Sequence, residues 1–230
     1  MKMIMMTMTI KKIFFFLFLL LLPLLVYSQE KDFGIWYGIS AGHKISKKIE
    51  IDLSTDVRTF ENASKIDEAF VEGGLTYSLN KKLSLAGSYR LIKSLENNDL
   101  YYLRHKYFFD FKGVLPAGSF ALSCRLRYQA LIKNYIQHET DKYPSYTARI
   151  KVRLVYRTKT FPVNPYIYVE SFCPMFSVNS GTIAKNRYSA GLDFKITKRQ
   201  SAEIEYIFQR DYQPHLSDIN ILSANYNIKF

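Results

Sequence analysis

Cysteine, tryptophan and long apolar segments are all scarce in this chain of 230 residues. It has two cysteines, Cys124 and Cys173, and a single tryptophan. Two thiols are too few for a disulfide scaffold, which excludes a small fold held together by disulfides. Whether the two thiols pair with each other stays open, because a bridge would require their strands to lie close together. After residue 28, no apolar run reaches the roughly 18 residues of a membrane-spanning helix, so none is expected there.

The first 28 residues have the pattern of a secretory signal peptide. Lysines precede an apolar run from Ile13 to Val26, which is too short to cross a bilayer as a helix. Small or tolerated residues follow the run up to Ser28. We therefore predict a signal peptide over residues 1–28 that is cleaved near Ser28, with an uncleaved anchor as the alternative.

Basic side chains outnumber acidic ones. The chain has 32 lysines and arginines against 20 aspartates and glutamates, and the segment after residue 28 keeps 29 of the basic residues. This excess would attract anionic partners, either phosphate-bearing lipid headgroups or small anionic solutes. Nucleic acid is not expected as a partner, because the chain is predicted to be exported and has no basic helix or binding motif.

Apolar and polar residues alternate throughout the chain after residue 28, as they do in strands with one apolar face. The last nine residues illustrate the pattern, since every second residue from Leu222 to Phe230 is apolar. The segments with this alternation lie near residues 33–45, 48–60, 68–79, 82–94, 99–113, 119–134, 145–158, 165–174, 186–197, 200–211 and 218–230. Many of them are long enough for a tilted membrane strand, which needs about 9 to 11 residues.

We therefore predict an all-β fold, a transmembrane antiparallel β-barrel of about 10 to 12 strands and of the outer-membrane type, over residues 29–230. The alternative is a soluble exported β-protein, which would have shorter strands. Short connections alternate with longer polar ones, as expected of periplasmic turns and external loops. Aromatic residues are predicted to form two girdles, with Tyr188 and Phe208 in one and Phe120 and Tyr156 in the other.

The strand count stays open. Eleven segments conflict with the even number of strands in single-chain bacterial barrels. Either a strand is missing, or one segment is split or merged wrongly, or segment 33–45 is not an ordinary wall strand.

Charged residues on the polar face of the strands would line the lumen. The candidate lumen residues are Arg58, Glu72, Arg90, Arg104, Arg125, Arg127, Arg149, Arg153, Glu170, Arg187, Asp193, Glu203 and Glu205. Acids concentrate on segments 48–60 and 200–211, and bases on 119–134 and 145–158, which would face each other across a narrow lumen. They could meet in ion pairs that fill the interior, or water could keep them apart in a small passive channel that selects by charge.

No catalytic, cofactor-binding or metal-binding motif is present. A lipid-modifying enzyme, either a hydrolase or an acyltransferase, is the alternative function, and it would need a histidine beside a nucleophilic serine. His105 and His43 are the histidines on predicted wall strands. We predict no catalytic, cofactor or metal residues, and the specific activity stays unassigned.

Several short motifs resemble a known group. They include Gly34-Ile35-Trp36, the segment from Tyr77 to Leu85, Arg125-Leu126-Arg127-Tyr128 and Asn186-Arg187-Tyr188. Together with the closing strand, they resemble the outer-membrane barrel family catalogued as domain of unknown function 2490. The resemblance implies a porin-like barrel in the outer membrane of a Gram-negative bacterium, surrounded by outer-membrane lipids, and no particular activity.

The end of the chain resembles the signal that the barrel-assembly machinery recognises. It has an aromatic terminus, Phe230, after the alternating residues Tyr226 and Ile228, although it lacks the upstream glycine of that signal. The resemblance implies that this machinery is a partner of the closing strand.

Overall fold

The computed structural model describes residues 32–96, 98–158, 160–177 and 180–230. The predicted signal peptide lies outside the described residues. The strands are β1 (Asp32–Lys44), β2 (Ile49–Phe60), β3 (Lys65–Ser78), β4 (Leu83–Leu95), β5 (Tyr101–Ala117), β6 (Phe120–Lys133), β7 (Ser145–Tyr156), β8 (Val163–Met175), β9 (Lys185–Lys195), β10 (Gln200–Asp211) and β11 (Ser217–Lys229). One short 3₁₀ helix, Glu139–Lys142, lies between β6 and β7. In this part of the chain, no helix is long and apolar enough to cross a membrane.

The strands form one closed barrel in which each strand pairs with its neighbours in sequence, and β1 closes the barrel against β11. The predicted all-β barrel is therefore confirmed, and the eleven strands fall within the predicted range. The strands pair antiparallel around the barrel except at the closing pair β1–β11, which is parallel. In an up-and-down barrel with an odd number of strands, the first and last strands point the same way, so they can meet only in parallel.

The parallel seam between β1 and β11 is closely packed. Its register runs without a shift from Asp32 opposite Ile219 to Gly42 opposite Lys229. Gly38 leaves room for the Asn225 side chain, because a Cβ at position 38 would overlap Asn225 Oδ1 and lie 2.9 Å from the Asp56 carboxylate.

The two ends of the barrel differ. At one end, which we call the turn side, the connections are 45–48, 79–82, 118–119, 157–162 and 196–199. At the other end, the loop side, they are 61–64, 96–100, 134–144, 176–184 and 212–216. The two longest connections, 134–144 and 176–184, lie on the loop side, in agreement with the predicted alternation.

The outer surface of the barrel is apolar. Every strand exposes large apolar side chains, whereas the residues between them point inward. On β11, Leu222 is 42% exposed and the adjacent Ser223 is 1% exposed. Aromatic rings pair on this surface near both ends, with 6.3 Å between the centroids of Tyr188 and Phe208 on the loop side and 5.1 Å between those of Phe120 and Tyr156 on the turn side. A soluble protein rarely exposes such a continuous apolar surface, whereas a barrel in lipid requires one.

Gly38→Val should weaken the seam, because the new side chain would displace Asn225 from β1. Overpacking of this kind typically costs about 1–3 kcal/mol. Folded barrel can be counted as the fraction of protein that migrates as a compact band on an unheated detergent gel. As the urea concentration is raised, this fraction should fall at a lower concentration in Gly38→Val than in the unmodified protein. Gly73→Val is the matched control, since a Cβ at position 73 contacts nothing within 4 Å. Equal behaviour of the two variants would contradict the packing role of Gly38.

Candidate functional site

The interior of the barrel contains two cavities that meet at one layer of side chains. The loop-side cavity has a volume of about 630 Å³, and the turn-side cavity has a volume of about 400 Å³. Arg125 and Lys151 line both cavities. The two cavities therefore adjoin at these two residues, which lie directly opposite each other on β6 and β7.

Most of the candidate lumen residues form ion pairs with carboxylates. The pairs are Arg58 with Asp56 and Glu68, Arg90 with Glu72, Arg104 with Glu96, Arg125 and Arg149 with Glu170, Arg127 with Asp110, and Arg153 with Glu203. Most of these pairs join residues on the same strand or on adjacent strands. The expected pairing of acidic and basic arcs across the lumen is not the main pattern, since side chains on adjacent strands are already close enough to bond.

The pair of Arg127 with Asp110 is bidentate. The Nε and Nη2 atoms of Arg127 donate to the two carboxylate oxygens of Asp110, both at 2.6 Å. The two residues lie directly opposite each other on β5 and β6. A bidentate pair of this geometry holds the guanidinium in one fixed plane.

Glu170 on β8 is shared by two arginines. Its Oε1 atom accepts hydrogen bonds from Arg125 Nη2 at 2.6 Å and from Arg149 Nη2 at 2.9 Å. Glu170 is 2% exposed, so this single buried carboxylate links strands β6, β7 and β8 through two cations. It forms part of the layer between the two cavities.

Three candidate residues have other surroundings. Arg187 donates from Nε to Gln209 Oε1 at 2.7 Å. Glu205 accepts hydrogen bonds from the hydroxyls of Tyr166 and Ser189. Asp193 lines a further cavity near the turn side together with basic residues of β5, β7 and β9.

The register places like charges next to one another. One row across the wall contains Lys112, Arg125, Lys151, Glu170 and Arg187, each directly opposite the next. Four cations therefore share one carboxylate within this row. Like charges directly opposite each other on adjacent strands destabilise a sheet, so the row needs negative charge from elsewhere.

Aromatic rings inside the barrel stack on the cations, and the sequence analysis missed them. The guanidinium carbon of Arg90 lies 3.6 Å from the ring centroid of Phe70, and Lys151 Nζ lies 3.4 Å from that of Tyr168. Further pairs of this kind are Arg58 with Trp36, Arg127 with Phe108, Arg149 with Phe172 and Arg153 with Tyr166. The signal was present in the sequence, because these rings lie on the same strand face as the charged residues.

The histidines and cysteines lie elsewhere. His105 is on the outer surface, where its Nδ1 atom lies 2.6 Å from the Tyr89 hydroxyl. Its hydrogen-bond partner is therefore a tyrosine and not the serine that the enzyme alternative requires. Cys124 and Cys173 are free thiols on β6 and β8, with β7 between them. Across the described ranges, no group of His, Cys, Asp and Glu is placed to hold a metal ion.

An apolar outer face, a closed sheet and an interior of paired charges define an all-β barrel of the outer-membrane type. The chain belongs to the family described as protein of unknown function (DUF2490), whose model matches residues 33–220. The resemblance inferred from the sequence is thereby confirmed. The comparison with curated proteins gives no match.

Solved structures with a similar fold are barrels of low sequence identity. The NanC porin is 12% identical, with 74% of this chain and 86% of that chain covered and a TM-score of 0.46. The β domain of the Bordetella autotransporter BrkA is 11% identical, with 75% and 81% covered and a TM-score of 0.48. The translocator domain of the autotransporter NalP from Neisseria meningitidis is 11% identical, with 75% and 72% covered and a TM-score of 0.46.

Glu170→Gln should destabilise the barrel, because it removes the buried carboxylate to which both Arg125 and Arg149 donate. Breaking a buried ion pair from one side typically costs about 3–5 kcal/mol. Urea unfolding followed by the fluorescence of Trp36, the single tryptophan, would measure the loss. Glu203→Gln is the matched control, since Arg153 and Glu203 remain 28% and 23% exposed and should lose much less. A Glu170→Gln variant as stable as the control would contradict the linking role of Glu170.

The loop-side connection 134–144 is held by Asp141, and its contacts should depend on acid pH. Asp141 pairs with Lys133 at 2.8 Å and accepts hydrogen bonds from the backbone N–H groups of Gln137 and His138. These donors, Lys133 first, lower the pKa of Asp141 from 3.8 to about 2. Because the folded-state pKa is depressed, the stabilisation is complete above about pH 4 and is lost as the pH falls towards 2.

The carbon-13 shift of the Asp141 carboxyl group, followed by NMR during an acid titration, should have its midpoint near pH 2. Lys133→Gln should move the midpoint upwards, towards the ordinary aspartate value. An unchanged midpoint in this variant would show that Lys133 is not the main cause.

Proposed function

We propose that this protein is an outer-membrane barrel whose lumen is a narrow passive channel with a preference for small anionic solutes. The observation that carries the proposal is the meeting of two lumen cavities at Arg125 and Lys151. A path between the two ends would have to pass this layer, so these side chains would select what crosses the barrel.

The charge of the cavity walls supports an anion preference. The turn-side cavity is lined by five cationic side chains, those of Lys112, Arg125, Lys151, Arg153 and Lys229. Only two carboxylates, those of Glu50 and Asp110, line the same cavity. A narrow space with low-dielectric walls concentrates the field of such an excess and attracts anions.

The ion pairs of the layer support a narrow passage. Arg125, Arg149 and Glu170 form one group, and Arg127 with Asp110 forms another. Separating buried charges of this kind is costly, so the groups occupy fixed positions in the lumen. The ion-paired interior thus stiffens the wall and restricts the passage at the same time.

The outer surface supports a location in the outer membrane of a Gram-negative bacterium, with the turn side in the periplasm. Apolar side chains on every strand would contact outer-membrane lipids, and the two longest connections both lie on the side opposite the turns. In this orientation β11 ends in the periplasm with Phe230, where the barrel-assembly machinery would recognise the closing strand.

Planar-bilayer recordings of the purified barrel test the channel. We expect small conductances and a reversal potential in a salt gradient that indicates anion preference. Lys151→Glu should lower the anion-to-cation permeability ratio several-fold, and its fold should persist because Arg125 opposite can pair with the new carboxylate. Lys142→Glu, in the exposed loop, is the control and should leave the ratio unchanged.

Two results would contradict the proposal. The absence of any conductance from folded protein would leave a filled structural barrel. Conductance with an unchanged ratio in Lys151→Glu would remove the layer from the path of the ions.

A further inference from the structure

One patch of the lumen wall has more positive charge than its carboxylates neutralise. We define this cationic patch as Arg125, Arg127, Arg149, Lys151 and Arg187, all of which line the loop-side cavity. The carboxylates bonded to it are Glu170 and Asp110. The strand register places like charges side by side, since Arg125 lies opposite Lys151 and Arg127 lies opposite Arg149.

Two of these cations have no carboxylate of their own. Within the described part of the chain, Lys151 contacts the ring of Tyr168, and Arg187 is bonded to the neutral amide of Gln209. Neither is within ion-pair distance of a described carboxylate. Buried charges are normally paired, so this arrangement is incomplete without an added negative group.

Unused hydrogen-bond donors point to the same place. The Nε atoms of Arg125 and Arg149 are buried, and neither has an acceptor among the residues described. Each arginine already donates to Glu170 through Nη2, so the Nε atoms remain as free donors beside the shared carboxylate. Almost all buried donors in proteins have an acceptor, so these two unpaired Nε atoms add to the unbalanced positive charge of the patch.

The facing part of the cavity wall is polar and carries less charge. Ser54 on β2 and Ser223, Asn225 and Asn227 on β11 line the same cavity. Hydroxyl and amide groups of this kind form hydrogen bonds with the hydroxyl groups of a ligand. The cavity of about 630 Å³ lies within the range of small-molecule binding sites.

We infer that the cationic patch is a binding site for a small hydroxylated organic anion. The carboxylate or phosphate group of this ligand contacts Lys151 and Arg187, next to Arg125 and Arg149. Its hydroxylated body faces the serine and asparagine side chains of β2 and β11. The inference builds on the proposed anion passage, but the site can be tested in the absence of a membrane.

Isothermal titration calorimetry of the folded barrel in uncharged detergent at low salt tests the site. The probes are glucose 6-phosphate for the phosphate group, gluconate for the carboxylate group, glucose as the neutral analogue and inorganic phosphate as the bare anion. We expect one or both organic anions to bind, more tightly than inorganic phosphate and with lower affinity at higher salt, while glucose does not bind. Which of the two binds more tightly distinguishes the phosphate from the carboxylate ligand.

Lys151→Gln and Arg187→Gln should each weaken binding about tenfold or more, because each removes a charged hydrogen-bond partner. Lys142→Gln, in the exposed loop, is the control and should bind as the unmodified protein does. Migration on an unheated detergent gel shows that each variant is folded before it is titrated.

Three results would overturn the inference. They are no binding of either organic anion, equal affinity for inorganic phosphate, or unchanged affinity in both folded lumen variants. Because binding is measured in detergent, an inactive channel that still binds the anion would refute the proposed function alone. A conducting barrel that binds neither organic anion would refute the site alone.

Discussion

A closed sheet has no free edge, and this constraint controls the rest of the molecule. Because β1 completes the hydrogen bonding of β11, the polar groups of the backbone are bonded within the wall. Side chains alone then decide which surface contacts lipid and which surface encloses the lumen. Alternation along each strand sends apolar groups to one side and charged groups to the other, so a single sequence pattern produces both environments.

The enclosed side of the sheet carries more charged side chains than the core of a soluble protein would tolerate. Most of these charges are neutralised by partners on the same strand or on a neighbouring strand. Asp110 holds Arg127 in a bidentate pair, and Glu170 holds two arginines at once. Aromatic rings cover the other faces of several cations, which adds attraction of about 0.5–2 kcal/mol for each contact. The interior is therefore stiffened by its charges, and the part that remains unpaired is the place where the proposed anion would bind.

The strands could be predicted closely from the sequence, while the partners of the lumen residues could not. Segment 200–211 agrees with β10, and segment 48–60 differs from β2 by one residue, because alternation is a local property. Arg125 and Glu170 are far apart in sequence, and their contact depends on the register of three strands. The interior position of Phe108 and Tyr168 was open to prediction from their strand face, but rings were expected only on the lipid side.

By itself, the sequence determined the fold class, the two faces of each strand and the family, since all of these follow from short-range patterns of residues. The tertiary structure decided how the barrel closes and which charges remain without partners. An odd number of strands makes the seam parallel, and the register sets cations opposite cations in the lumen wall. The parallel seam and the unpaired cations both depend on how strands that are distant in sequence align. The alternation of residues within one strand does not specify that alignment.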